Sequence, residues 1–225
     1  MRRLFLLRPE PGAGASLERA KALGLDAVSL PLFGVHPLAW TPPDPNIFDA
    51  VLATSANALR HGGGGLAHFR HLPLHAVGEA TAEAAREAGF DDVVAGGGNV
   101  EALLGSLPTG LRLFYPCGRD RRDLSAARQA ILSVPVYAAE ALPMPEGFAD
   151  IADAVVAVHS PRAAERLAEL ADVARIDRSN VRIAAISEAA ASAAGSGWET
   201  VASAAGPNDG ALLELAARLC EKLSP

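Results

Sequence analysis

One device occurs twice in this chain, and its recurrence limits what the chain can fold into. In DAVLATSANAL (Asp49 to Leu59) a short apolar run, Ala50 to Ala53, stops at Thr54-Ser55 and a helical pattern begins at once. In VVAVHSPRAAERL an apolar run stops at His159-Ser160, with Pro161 next. Ser is a favoured helix N-cap, and Pro suits the first helical position because no N–H is needed there. Each stretch therefore reads as a strand running into a helix. The echo continues: HAVGEATAEAAREAGF (His75 to Phe90) parallels AAISEAAASAAGSGW (Ala184 to Trp198), and DDVVAGGGNVEALL (Asp91 to Leu104) parallels ETVASAAGPNDGALL (Glu199 to Leu213). RLFLLRP (Arg3 to Pro9) has a counterpart in RLFYPCG (Arg112 to Gly118), as DAVSLPLF (Asp26 to Phe33) has in SVPVYAAE (Ser133 to Glu140). A repeat of roughly a hundred residues is domain-sized, too long for a solenoid. Two copies of one α/β unit are expected within the 225 residues.

In chain order, Leu4 to Leu7 is an apolar run of the kind buried on both faces of a parallel sheet. A helix capped by Ser16 and ending at Gly24 follows, then a strand from Asp26 to Phe33. This is a first arm. His36 to Asn46 is proline-dense and reads as a linker. Three strand–helix pairs from Phe48 to Leu107 make a first body, interrupted by HGGGGLAHFRHLPLH, which reads as a flexible loop. Leu111 to Tyr137 is a second strand–helix–strand arm, PMPEG (Pro143 to Gly147) a second linker, and Ile151 to Leu223 a second body. A five-stranded parallel sheet needs one arm and one body. Sequential and swapped pairing both satisfy this, and periodicity does not choose between them.

Half the residues are apolar and 20% are charged, the balance of a globular protein with a real core. A net charge of −6 argues against a nucleic-acid partner. The apolar run near the start ends at Arg8, too short for a signal peptide, and no stretch approaches a membrane span. Cys117 and Cys220 lack metal-like spacing and are expected as reduced thiols in a cytoplasmic protein.

Ligands of doubly wound sheets bind outside the carboxyl ends of the strands. There the first body places Thr54-Ser55-Ala56-Asn57, Gly78-Glu79-Ala80-Thr81 and Gly96-Gly97-Gly98-Asn99. The second body places His159-Ser160-Pro161-Arg162, Ser187-Glu188-Ala189 and Gly206-Pro207-Asn208-Asp209. Each opens a helix and so offers backbone N–H groups and the positive end of a dipole to an anion. Singly, each reads rather as an ordinary cap. No Walker P-loop or GxGxxG is present. His61, His68, His71 and His75 have no ligand-like pairing and read as solvent-exposed loop histidines, so no metal is expected. CGRDRRD (Cys117 to Asp123) is the densest basic patch and reads as a strand end and helix start, where Arg119, Arg121 and Arg122 suit carboxylates. Tyr137 could offer a phenol to a leaving hydroxyl, but from position alone it reads as packing.

Over nearly its whole length the chain resembles the uroporphyrinogen-III synthase family. The resemblance is carried by LLRPEPGAGASLERAKALGLDAVSLPLF, ATSANAL, VGEATAEAAREAGF, GGGNVEALL, CGRDRRDL, VPVYAAEAL and HSPRAAERL, in order. It implies two flavodoxin-like, doubly wound parallel-sheet α/β domains joined by a two-stranded hinge. It also implies the swapped pairing: residues 1–36 plus 141–225 form one domain, with 37–140 inserted as the other. The implied reaction closes linear hydroxymethylbilane to uroporphyrinogen III, with loss of water and inversion of the last ring. No cofactor is implied, the substrate is expected in the interdomain cleft, and the enzyme is expected as a monomer. By the same resemblance Tyr137 matches a tyrosine assisting loss of the hydroxyl. Thr81, Ser55 and Ser160 match cleft-lining hydroxyls, with Thr54, Gly78, Gly98, Asn99, Arg119, Arg162 and Ser187 completing the expected substrate contacts. Where the family has Gly-Pro-Thr-Thr-Ala, this chain has Ser187-Glu188-Ala189-Ala190-Ala191. A two-lobed binding protein and a phosphosugar enzyme are the competing readings.

Overall fold

In the computed structural model, residues 1–121 and 123–221 are described. The elements begin β1 (Leu4–Leu6), α1 (Gly12–Ala22), β2 (Ala27–Ser29) and β3 (Phe33–Pro37). They continue with β4 (Ala50–Ala53), α2 (Ala56–His61), β5 (Leu74–Ala76), α3 (Glu79–Glu87), β6 (Val93–Ala95), α4 (Val100–Ser106) and β7 (Arg112–Gly118). The chain ends in β8 (Ala130–Ala141), β9 (Val155–Val158), α5 (Pro161–Val173), β10 (Arg182–Ala185), α6 (Glu188–Ala193), β11 (Thr200–Ser203) and α7 (Asp209–Cys220). Two compact units result, one of Met1–Gly34 with Glu140–Pro225 and one of Val35–Ala139. No helix among the described residues is long and apolar enough to cross a membrane.

The first unit is an all-parallel sheet ordered β11-β10-β9-β1-β2. Strand β1 pairs with β9, which lies about 150 residues further along the chain. The period of a strand explains the layers: alternate residues face opposite sides. Leu4 and Leu6 pack with Ala20 of α1 and Leu212 and Ala216 of α7. Phe5 packs instead with Ala164 and Leu167 of α5 and Ala190 of α6. Helices therefore cover both faces, and the apolar runs are buried on both sides, each large side chain contributing about 1.5–3 kcal/mol. In the second unit the order is β3-β8-β7-β4-β5-β6. Its alternation is the same, with Val51 and Ala53 facing one cluster and Ala50 and Leu52 the other.

Four sequence expectations are corrected. Ser16 does not cap α1, which starts four residues earlier at Gly12; Ser16 is buried inside the helix. The proline-dense linker is partly regular, holding the end of β3 and a 3-10 turn at Pro45–Ile47. The glycine run is not a loose loop but a 3-10 stretch, Gly63–Phe69, with Leu66 and Phe69 buried. Its glycines permit close approach: a Cβ at Gly65 would meet Trp40 at 2.7 Å, and Trp40 Nε1 donates to the Gly62 carbonyl at 2.9 Å. Finally, no helix joins β7 to β8 among the described residues. The Asp123 carboxylate accepts from the backbone and hydroxyl of Ser125, at 2.8 and 2.9 Å, an arrangement that competes with helix formation. Only Leu124 and Ala127 turn inward, too few for an apolar stripe. Arg122 and the expected end of the second body at Leu223 lie outside the described residues.

Candidate functional site

In an open sheet wound in both directions, the crevice opens where the strand order reverses. In the second unit this is the β7/β4 junction. Strand β4 delivers Thr54 there and β7 delivers Tyr115, whose hydroxyls lie 2.8 Å apart. Burial pushes the Tyr115 phenol up, the Thr54 hydrogen bond acting against it, so the group stays protonated at neutral pH. The sequence reading passed over Tyr115, which looks like strand packing until Thr54 is seen beside it.

Tyr137, the expected proton donor, lies within β8 and not at its end. Across the β7–β8 ladder the register slips, Cys117 facing Pro135 and Gly118 facing Tyr137, so Val136 is skipped. Such an irregularity re-aims a side chain. Val136 and Ala138 are buried while Tyr137 is half-exposed. The His61 ring lies 6.3 Å from that of Tyr137. His61 is half-buried and ends α2, and burial lowers its pKa, helped by the charges of Arg60 and His36. His75 is also half-buried, within β5, with its pKa lowered by burial. Neither is the solvent-exposed loop histidine expected; His68 and His71 are exposed.

The helix starts hold the remaining candidates. Ser55 accepts from the Asn57 N–H at 3.2 Å and Asn99 from Ala102 at 3.1 Å. Gly78 opens α3 in extended conformation, with the Gly98 Cα 3.7 Å from where its Cβ would stand. Gly98 has φ +91, a backbone that only glycine adopts freely. The structure thus brings Gly78 and Gly98 together. Thr81 lies in the first turn of α3 and is buried at 8% exposure. Arg119 lies in the turn after β7, its N–H donating to the Tyr137 carbonyl at 2.9 Å. A depression of about 740 Å³ lined by Arg119, Arg121, Asp123, Gln129 and Ser133 occupies the place of the missing crossover helix.

In the first unit Ser160 caps α5 through the Ala163 N–H at 3.2 Å, and Ser187 caps α6 through Ala190 at 3.3 Å. The Arg162 guanidinium lies over the Phe33 ring, 4.9 Å from its centre. The Glu188 carboxylate, the departure noted in the sequence, accepts from the Ser203 hydroxyl.

The reversal point of this sheet is the β1/β9 junction, and it holds a polar cluster the sequence reading missed. Asp209 Oδ1 accepts from Ser16 Oγ at 2.6 Å, from His159 Nε2 at 2.9 Å and from Arg8 Nη1 at 3.2 Å. Its Oδ2 accepts from Arg19 Nη1 at 2.7 Å. Burial pushes the Asp209 carboxyl up, but the hydrogen bonds from His159, Ser16 and Arg19 outweigh it and hold it well below the usual range. Burial lowers the pKa of His159, the Asp209 hydrogen bond opposing it. His159 Nδ1 is buried and has no hydrogen-bond partner. The partners are up to 201 residues apart, which no local pattern reveals. Among the described residues, no group of three or more His, Cys, Asp or Glu is placed to hold a metal.

The model of a family described as uroporphyrinogen-III synthase HemD matches residues 15–214. No curated protein sequence matches the chain. Among solved structures, the chain is similar to uroporphyrinogen-III synthetase from Helicobacter pylori, at 17% identity and TM-score 0.67, over 97% of this chain and 100% of that one. It is also similar to a mutant uroporphyrinogen III synthase from the extremely thermophilic bacterium Thermus thermophilus, at 21% identity and TM-score 0.55, over 97% and 98%. At these identities the likeness is one of fold.

Proposed function

Because the chain belongs to the uroporphyrinogen-III synthase family, we propose that the carboxyl edges of its two parallel sheets hold the carboxylates of a linear tetrapyrrole. The protein is a cyclising hydro-lyase: it closes hydroxymethylbilane to uroporphyrinogen III, with loss of water and inversion of the last ring. The family match over residues 15–214 is the observation that carries this reading.

The chemistry asks little of any one side chain. The electron-rich pyrrole next to the hydroxymethyl group pushes its electrons into the breaking C–O bond. The hydroxyl takes up a proton and leaves as water, giving an azafulvene cation. The terminal ring then attacks through its substituted carbon to give a spiro centre. The old link from that carbon to the third ring breaks to leave a second azafulvene cation. The terminal ring's free α-carbon captures that cation and gives up its proton as aromaticity returns. The proton account closes, so an acid that protonates the hydroxyl is regenerated. Tyr137 is proposed as that donor, supported by its half-exposed phenol and the register slip that aims it.

The main task is to hold the chain ends so that the substituted carbon attacks. Orientation of that kind is worth up to about 7–11 kcal/mol. The proposed grip uses N–H groups at the starts of α3 and α5, beside Gly78 and Ser160, with Thr54, Ser55, Gly98, Asn99 and Arg119 in the second unit and Arg162 and Ser187 in the first. Each unit is proposed to be flavodoxin-like, with β3 and β8, the two strands that run from one unit into the other, as a two-stranded hinge. The enzyme is proposed to act as a cytoplasmic monomer. The test supplies hydroxymethylbilane and separates the isomers formed. Type III product is expected; type I alone, at the spontaneous rate, would end the reading.

A further inference from the structure

The cluster at the β1/β9 junction carries more positive charge than its own acid balances. Arg8 and Arg19 both pair with Asp209, at 3.2 and 2.7 Å, and with no other acid among the described residues. His159 adds no charge at neutral pH, because burial holds its imidazole in the neutral form. With Asp209 ionised, Nε2 carries the shared proton and Nδ1 is left as a buried acceptor. Two guanidiniums against one carboxylate leave a net charge of about one unit at the strand-order reversal, where doubly wound sheets take their ligands.

The arrangement is built to keep Arg8 in place. The side chain crosses the first residue of α1 so closely that a Cβ at Gly12 would stand 2.4 Å from Arg8 Nη2. Ser16 Oγ accepts from Arg8 Nη1 at 3.1 Å, and Asp209 holds the same nitrogen. Only Nη1 of each guanidinium is engaged among the described residues. Both side chains remain in reach of solvent, Arg8 at 30% and Arg19 at 58% exposure, while Asp209 between them is at 14%. A planar guanidinium fixed on one edge presents its other N–H groups in a fork that matches a carboxylate.

We propose that Arg8 and Arg19, oriented by Asp209 at the β1/β9 junction, form a subsite for one carboxylate of the substrate. Asp209 is then a positioning residue, and the subsite rests on the functional reading above. It adds two guanidiniums, fixed by one carboxylate, to the grip proposed above.

The test is steady-state kinetics of the full chain on hydroxymethylbilane, with thermal melting alongside. Arg19→Gln, at an exposed position, is expected to raise KM about tenfold with kcat little changed, the loss of one charge-assisted contact. Gly12→Ala keeps every charge but displaces the Arg8 guanidinium, and the same rise in KM is expected. Arg8→Gln is expected to raise KM further, and Arg8→Lys to restore part of it. Variants that melt at lower temperature but keep the wild-type KM would make the cluster a purely structural ion pair and overturn the subsite alone. Wild-type protein that forms no type III isomer would overturn the functional reading and the subsite with it.

Discussion

Gly118 and Tyr137 face each other across the β7–β8 ladder with no room for another atom between them: a Cβ on Gly118 would stand 2.9 Å from Tyr137 Cζ and 3.0 Å from its hydroxyl. The absent side chain is what lets the phenol lie where it does. Gly118→Ala is therefore expected to turn the Tyr137 ring aside while the sheet stays folded. Its kcat is expected to fall as far as that of Tyr137→Phe, and the double variant should fall no further. Additive losses would show that the two residues act separately.

Tyr137→Phe itself is expected to slow turnover by roughly 10²-fold, the lower end for loss of a general acid, without abolishing it. The pyrrole supplies the electrons that expel the hydroxyl, so holding the substrate matters more than the proton. Single-turnover measurement of type III product checks this. A complete loss, with fold and substrate binding intact, would overturn the distributed mechanism.

The local devices were readable because they are local. Ser55, Asn99, Ser160 and Ser187 each cap the helix that the sequence places directly after them. Apolar runs such as Ala50 to Ala53 and Val155 to Val158 are buried on both faces, as their composition requires. Ser16 went astray because Gly12-Ala13-Gly14-Ala15 looks like loop, yet these small residues let α1 begin early beneath Arg8. The segment after Cys117 departs from expectation because the parallel with the first arm implies a crossover helix, while Asp123 bonds to Ser125 instead. The cluster around Asp209 joins residues from both ends of the chain. Only the pairing of β1 with β9 brings them together.

That cluster gives stability a particular dependence on acid. His159 and Asp209 both have folded pKa values below their ordinary values of 6.5 and 3.8. The unfolded chain then binds the proton more readily, so stability is full above each ordinary value and is lost as pH falls below it. Around the imidazole stand Asp209, Arg8, Ser16 and Arg19. The melting temperature is expected to decline below about pH 6.5 through His159 and again below about pH 3.8 through Asp209. His159→Gln should remove the upper decline and leave the lower one. A variant whose profile between pH 7 and 5 follows wild type would refute the assignment.

At the alkaline end the sign reverses. Burial raises the Tyr115 and Cys117 pKa values and pushes Cys220 up to about 11 from 9.0. The folded state keeps these protons after the unfolded chain has released them, so stability is full below the ordinary values and falls as pH rises through them. Melting is expected to drop steadily between pH 9 and 11. Cys220→Ala should flatten the drop, while lowering the melting temperature at pH 7 through the small cavity it leaves. An unchanged slope in that variant would remove Cys220 from the account.

The missing crossover between β7 and β8 leaves one flank of β8 without a buttress. Ile131 faces the open depression there, and Ser133 lines it too, where a helix would ordinarily lie. The strand that bears the Tyr137 phenol is thus clamped by its ladder to β7 more than by layers above and below. Deuterium should reach the amides of residues 130–135 well before those of β4 or β9, which are sealed on both sides. The phenol proposed as proton donor is carried on a strand with one flank open, so its aim depends on backbone bonding and on one glycine.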